Sequence, residues 1–133
     1  MKSNDGAITQ AERCFQVRLP GDYRHFLVTE GSMARFVPPA DDFLMLHAAD
    51  EVIEINEASE FQDRFPGSVV IGGDGGRELL TYDFRQEPPP LLLLDVSAQD
   101  WSAAIQQAPS LAALLERFPE TGWRWDVSEH ALS

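Results

Sequence analysis

The chain has 133 residues, of which 44% are hydrophobic and 24% are charged, which is the length and composition of one ordinary globular domain. Twenty-two Asp and Glu oppose ten Lys and Arg, and the formal net charge of -12 argues against binding to nucleic acid or to an anionic membrane surface. The single cysteine, Cys14, excludes an internal disulfide framework and a cysteine-based zinc site.

The N-terminal region predicts a first helix over residues 7–16, because Ile8, Ala11 and Phe15 recur at the spacing of one helical face. Cys14 lies beside that face, and we expect it to be a small buried residue rather than a reactive thiol. The opening segment MKSNDGAITQ has no apolar core. We therefore expect no secretory signal, and we expect a cytoplasmic protein.

The segment LPGDYRHFLVTEGS, residues 19–32, predicts a second helix. Pro20 suits the first helical turn, where its missing N–H is no loss. Gly31 suits a left-handed residue that ends the helix. The apolar face follows the i, i+3, i+4 pattern and consists of Tyr23, Phe26 and Leu27.

Residues 33–47 are predicted to be irregular chain, because of Pro38 and Pro39, and to end in a short strand over Phe43–Leu46. A third helix is predicted from residue 48 to about residue 59. One face of it is acidic and the other apolar; the acidic face carries Asp50, Glu54 and Glu57, and the apolar face carries Val52, Ile55 and Ser59. Ile53 fits neither face.

The segment SVVIGGDGGRELLTYDF, residues 68–84, predicts a β-hairpin. Val69–Gly72 and Glu78–Tyr82 are strand-like runs, and the glycines around Asp74 permit the positive φ of a tight turn. The loop is no phosphate cradle, because it has neither GxGxxG nor the Lys-Ser/Thr of a P-loop. The spacing of Asp74 and Glu78 matches no EF-hand loop.

Further along, Leu91–Leu94 predicts a central strand that is covered on both faces. Ser97 with Asp100 predicts a helix start, with Trp101 inside the helix and in the core. Ser110 predicts the start of a last helix, which Pro119 ends and whose inward residues are Leu111, Leu114, Leu115 and Phe118. Trp123 and Trp125 fit either an edge strand or a packed extended arm, and a surface arm would suit a homodimer.

This order of elements predicts an α+β fold: one domain over 1–133, with a mainly antiparallel sheet flanked by helices. Three segments resemble one family: residues 8–27 with LPGDYRHFL, residues 71–83 with IGGDGGRELLTYD, and residues 108–118 with APSLAALLERF. They are similar to the SUKH superfamily, which joins fungal Smi/Knr cell-wall assembly regulators to bacterial immunity proteins. The resemblance covers about residues 8–118 and leaves 119–133 as a C-terminal arm.

The resemblance implies that the motif residues are structural: Leu19, Pro20, Tyr23, Phe26, Leu27, Gly31, Gly73, Asp74, Gly75, Gly76 and Asp83. Two positions depart from the family pattern, since Glu30 precedes Gly31 where the family often has Asn, and Arg77 stands where it commonly has Gly.

The resemblance also implies a protein-binding module without catalytic residues or a cofactor. Bacterial members neutralise toxin domains of polymorphic toxin systems, many of them nucleases, whereas fungal members are regulatory interaction proteins. The expected absence of a signal peptide and the compact length fit the bacterial immunity type better. A regulatory or scaffold module without a toxin partner remains the alternative.

Acidic residues dominate residues 36–63, which contain no Lys or Arg. We expect a docking surface for a basic toxin domain, formed by Asp41, Asp42, Asp50, Glu54 and Glu57, together with Asp74 and Glu78 of the hairpin. A solvated face that keeps the protein soluble is an equal alternative.

Enzyme chemistry has little support in the sequence. No GxSxG motif marks a nucleophile. His25, His47 and His130 are too widely spaced for a metal motif.

Overall fold

A computed structural model describes residues 5–125 and has an α+β architecture, with helices flanking an antiparallel sheet. The helices are α1 (Asp5–Phe15), α2 (Gly21–Thr29), α3 (Ala49–Ser59), α4 (Phe61–Arg64) and α5 (Leu111–Thr121), with one 3₁₀ turn at Trp101–Ala103. The strands are β1 (Met33–Val37), β2 (Asp42–Leu46), β3 (Ser68–Gly73), β4 (Glu78–Asp83), β5 (Leu91–Asp95) and β6 (Ile105–Ala108).

The six strands follow one another across the sheet in chain order, and every neighbouring pair is antiparallel. Strands β1 and β2 form a hairpin that pairs with β3 through Met45 with Gly73 and Leu46 with Gly72, and the His47 N–H, just after β2, donates to the Ile71 carbonyl at 2.9 Å. The hairpin therefore overhangs one end of β3 and leaves the other end of that strand without a strand partner on this side.

Asn56, on helix α3, takes the place of a neighbouring strand there, because its side-chain amide hydrogen-bonds to the β3 backbone as a peptide group would. The Asn56 amide donates to the Val70 carbonyl at 2.9 Å and accepts the Val70 N–H at 2.9 Å. Gln62, on α4, donates to the Ser68 carbonyl at 2.9 Å. These bonds satisfy buried backbone groups that would otherwise have no partner.

The main core lies between the helices and one sheet face. Alternate strand residues such as Val69, Ile71 and Leu93 point into it, as the period of two requires. The opposite face has a smaller cluster, in which Phe61 and Phe65 cover Val70 and Leu94. Strand β5 is thus buried on both faces, which confirms the prediction for Leu91–Leu94.

Helix α2 is followed by Gly31 at a φ of 80°, as predicted, but Pro20 is its N-cap and not a residue of the first turn. Tyr23, Phe26 and Leu27 are all buried. The Tyr23 ring lies 5.5 Å from that of Tyr82 on β4, and burial raises the pKa of both phenols.

Two strands were not predicted from the sequence. Residues 33–37 are strand β1, not irregular chain, because Pro38 and Pro39 lie in the following turn, which the Asp41 N–H closes onto the Val37 carbonyl at 2.7 Å. Strand β6 (IQQA) has neither an apolar run nor alternation and is held by pairing with β5.

The predicted faces of α3 are wrong in part. Ile53 belongs to the main core, whereas Ile55 is only partly buried, against the smaller cluster, and Ser59 is exposed. The reason is that α3 lies at the edge of β3, to which Asn56 hydrogen-bonds, so Ile53 packs against the main core and Ile55 against the cluster on the opposite sheet face.

The ends of two elements also differ from expectation. Pro119 does not end α5; it lies in the last turn, and Gly122, at a φ of 64°, follows the helix. Ser110 caps the helix start as predicted, accepting the Ala113 N–H at 3.1 Å. Asp100 caps only the 3₁₀ turn, and Ser97 instead donates to Asp95.

Cys14 is exposed and not buried as expected, because the inward face of α1 is formed by Ile8 and Ala11.

Candidate protein-interaction surface

The outer side of α3 is a continuous acidic surface, which we call the α3 acidic face: Asp50, Glu51, Glu54 and Glu57. All four residues are exposed, and α3 carries no Lys or Arg. The helix is fixed beneath them by Val52, Ile53 and Asn56. A rigid scaffold therefore presents the carboxylates at fixed spacing.

Helix stability explains the two acids of the first turn, where Glu51 also accepts the Ala48 N–H at 3.0 Å, but it does not explain Glu54 and Glu57. Asp50 and Glu54 are four residues apart and Glu54 and Glu57 three, and like charges at these spacings destabilise a helix. Acidic residues stabilise a helix only in its first turn, where Asp50 and Glu51 lie. Glu57 lies in the last turn, at the negative end of the helix dipole. Burial lowers the pKa of His47, whose ring lies 3.8 Å from Glu51, although the Glu51 charge acts in the opposite direction.

Asp41 and Asp42 do not join the α3 acidic face. They lie at the start of β2, whereas α3 follows its other end, about 13 Å away at 3.3 Å per residue. Asp42 accepts the Trp123 N–H at 3.0 Å, and a side chain on Gly122 would meet the same carboxylate. Asp42 thus anchors the C-terminal segment, while Asp41 is exposed in the turn at a φ of 63°.

The hairpin acids hold the β3–β4 turn. Asp74 Oδ1 accepts the N–H groups of Gly76 at 2.8 Å and Glu78 at 3.1 Å. Glu78 pairs across the sheet with Asp95. Partial burial and the charges of Asp95 and Asp74 raise the pKa of Glu78. Hydrogen bonds from Ser97, together with Arg77, lower the pKa of Asp95 to about 2.

The geometry therefore divides the seven acids that sequence analysis grouped. Asp50, Glu54 and Glu57 share the outer side of one helix, whereas Asp42 and Asp74 hold local structure at the other end of β2. The β3–β4 turn lies beside that end, because a side chain at Gly75 would touch the Phe43 ring. Glu51, which lies in the same acidic stretch of the sequence, also belongs to the α3 acidic face.

Comparison with known proteins places the chain in a family. A family model described as the SMI1 / KNR4 family (SUKH-1) matches residues 2–117. The chain belongs to the SMI1/KNR4 family. The match confirms the resemblance carried by LPGDYRHFL and the glycine hairpin. The comparison with curated proteins finds no match.

Most SUKH motif residues of this chain have a packing role in the structure. Leu19 lies in the main core with the apolar face of α2. A Cβ on Gly73 would lie 2.1 Å from the Glu78 carbonyl oxygen, and one on Gly75 would lie 2.9 Å from Phe43. Gly76 meets no such obstacle, since its nearest neighbour would lie at 3.6 Å.

Asp83 holds together the loop that follows β4. Its fully buried carboxylate accepts bonds from the Arg85 side chain at 2.9 and 3.0 Å and from Gln86 at 3.1 Å. Burial favours the neutral acid, but these bonds outweigh it and hold the pKa of Asp83 below its ordinary value.

The tryptophans differ in their surroundings. Trp101 is partly buried against Phe65 and donates to the Pro66 carbonyl at 2.9 Å. Trp123 is buried and donates to the Phe43 carbonyl at 3.0 Å, so it belongs to a packed arm. Trp125 is 54% exposed, at the limit of the described residues.

Two surface features near β1 were missed by sequence analysis. Phe36 is 61% exposed and lies edge-on to Phe43, with 5.0 Å between ring centroids. On the helix side, a groove of about 420 Å³ runs between α2, β1 and α5. The sequence analysis did not predict an exposed Phe36 on a strand, because residues 36–37 were predicted to be irregular chain.

Within residues 5–125, no group of His, Cys, Asp and Glu side chains is arranged to hold a metal ion. His130 lies outside the described residues. None of the described helices is long and apolar enough to cross a membrane.

Proposed function

We propose that this SMI1/KNR4-family domain is an immunity-type protein that neutralises a toxin domain by direct binding, without enzymatic activity or a cofactor. The toxin would be a basic, nuclease-type domain of a polymorphic or contact-dependent toxin system. The observation that carries the proposal is the α3 acidic face, with four exposed carboxylates and no cation on the helix.

The physical argument rests on what a nuclease must do. A protein that grips phosphates needs a basic site. An acidic surface of fixed geometry can occupy that site in place of the phosphates. Opposite charge also steers the encounter and raises association rates by about 10- to 1,000-fold at low salt. The repulsion that the acids impose on α3 is the cost expected of a surface kept for binding.

A second function has its own support, because the family's printed description names SMI1 and KNR4, the Smi/Knr type to which the cell-wall assembly regulators belong. On this alternative the chain is a regulatory or scaffold module that binds a protein other than a toxin. The same exposed surface would serve either role, so the nature of the partner separates the two functions.

Co-expression rescue tests the proposal. Cells expressing nuclease-type toxin domains, chosen first from genes that neighbour this one, are scored for survival with and without this protein. The test variant is Glu54→Lys/Glu57→Lys. The matched control is Glu116→Lys/Glu120→Lys on the exposed side of α5, which changes the net charge equally.

We expect rescue by the native chain and by the α5 variant. The α3 variant should lose about 10-fold or more in association rate, with a flatter dependence on salt. If both double variants lose the same amount, general charge rather than the α3 acidic face carries binding. If no toxin is neutralised and a housekeeping protein binds stoichiometrically, the regulatory function replaces this proposal.

A further inference from the structure

Among residues 5–125, the open part of β3, the overhanging start of β2 and the outer side of β6 lack a neighbouring strand, but other groups cover them. At β2 the Trp123 indole N–H donates to the Phe43 carbonyl at 3.0 Å. Asn56 and Gln62 occupy the open part of β3, as described above. At β6 the Arg117 guanidinium donates to the Gln107 backbone carbonyl at 3.2 Å, and the Gln107 side-chain amide accepts the Arg124 N–H and donates to the Arg124 carbonyl, both at 2.9 Å. Covered edges are the usual protection against pairing with foreign strands.

Strand β1 lacks this protection. It pairs with β2 at five positions without a bulge, and no other strand among residues 5–125 pairs with its outer side. Three successive residues, Ala34, Arg35 and Phe36, are exposed, so both faces of the strand are open at its centre. The strand contains no proline, and Arg35 is its only charge.

Each face beside this edge has a surface suited to an apolar side chain. On the helix side lies the groove of about 420 Å³, whose lining includes Phe26, Met33 and Leu115. On the opposite side Phe36 packs edge-on against Phe43. These two rings lie on the same sheet face as the cluster that covers β3 and β5, but outside that cluster. A strand added to β1 would direct alternate side chains to these two places.

We propose that β1 is a docking edge that accepts an extended segment of a partner protein as a seventh strand, with an uncharged centre and basic residues at both ends. The charges beside the edge indicate which kind of segment would bind there. Glu30 lines the groove just before β1, Asp41 follows its end, and Arg35 stands at its centre. A second copy of this chain would bring the same acids and a further net charge of -12 to the contact, so it fits less well.

The inference rests on the proposed function, because the segment would belong to the neutralised partner, but its test needs no toxin. The probe is a synthetic peptide with alternating Val and Thr at its centre and two Lys at each end. Comparison peptides carry Glu at the ends, or are N-methylated along the centre so that they cannot donate strand hydrogen bonds. Each is titrated into the isotope-labelled protein, and amide shifts are followed by NMR.

We expect the Lys-ended peptide to shift the amides of Met33–Val37 with a Kd of about 1 mM or below. The Glu-ended and N-methylated peptides should bind at least about 10-fold more weakly. Phe36→Ser should weaken binding by about 3- to 10-fold. Val28→Ser, at a residue 53% exposed on α2, is the matched control and should not change it.

Three outcomes overturn the inference. The first is shifts confined to the α3 acidic face, and the second is equal binding of the N-methylated peptide. The third is a set of β1 shifts that depends on protein concentration without peptide, which would assign the edge to a second copy. A failure at β1 leaves the neutralisation proposal intact, and a failure of toxin rescue leaves the edge result intact.

Discussion

Asn56 provides the sharpest test of how this fold is held together. Its side chain makes three hydrogen bonds from a site that is 3% exposed: two with the backbone of Val70 and one to the Val52 carbonyl at 2.7 Å. Replacing Asn56 with Ala removes all three. The Val52 carbonyl lies within α3, whereas the N–H and carbonyl of Val70, a residue 1% exposed, lose the partner that this side chain provides.

The magnitude follows from those two groups. Leaving a buried donor or acceptor unsatisfied costs about 1–3 kcal/mol, so the pair costs about 2–6 kcal/mol. The better helix propensity of Ala returns about 0.5 kcal/mol. We therefore expect Asn56→Ala to lower the free energy of unfolding by about 2–5 kcal/mol, out of a total of about 5–15 kcal/mol for a typical domain.

Urea unfolding followed by tryptophan fluorescence measures this change as a lower midpoint at constant m-value. Glu57→Ala, at the next and exposed position of α3, is the control and should stay within about 0.5 kcal/mol. Amide exchange at Val70 should accelerate in the Asn56 variant. A loss below about 1 kcal/mol, with Val70 exchange unchanged, would refute the claim that this side chain completes the edge of β3.

Two further predictions concern a close backbone contact and an acid. In Gly72→Ala the new Cβ would lie 1.9 Å from the Met45 carbonyl oxygen, so we expect a loss of about 3 kcal/mol or more on thermal unfolding. Gly76→Ala is the control within about 0.5 kcal/mol, and equal losses would contradict the β2–β3 geometry. Because the folded-state pKa of Asp83 lies below its unfolded value, its contribution to stability is complete above the unfolded pKa and is lost as the pH falls through the folded pKa. Asp83→Asn should therefore flatten the acid limb of the stability–pH curve, and an unchanged limb would exclude that role for the pair with Arg85.

The accuracy of sequence analysis varied with how local the determining interaction is. Helix α2 was predicted apart from its first residue, because Pro20, the apolar triplet and Gly31 act within one stretch of chain; Pro20 is the N-cap and not part of the first turn. The β3–β4 hairpin was predicted for the same reason, since its turn depends on consecutive glycines and Asp74. Strand β6 was missed, because four residues of mixed polarity become a strand only by pairing with β5.

The candidate surface shows the same division. The acids of α3 lie on one exposed side of the helix, as the helical spacing indicates, whereas Asp42 lies at the far end of β2 and anchors the C-terminal segment. Nothing in the sequence indicates that the Asp42 carboxylate accepts a hydrogen bond from Trp123, a residue 81 positions away. The open edge of β1 was also invisible, because openness depends on what other segments leave uncovered.

Sequence patterns were sufficient to predict the α+β class, helix α2, the glycine hairpin and the family that those motifs indicate, although Pro119 did not mark the end of α5. These features depend on φ preferences and periodicities within a few neighbouring residues. Three features became visible only in the folded chain. Asn56 completes the edge of β3, and the acids lie in two separate regions. Among the described strand edges, only that of β1 is uncovered. Such properties arise from pairings between distant segments, and the free energy of those pairings is not encoded in any one stretch of chain.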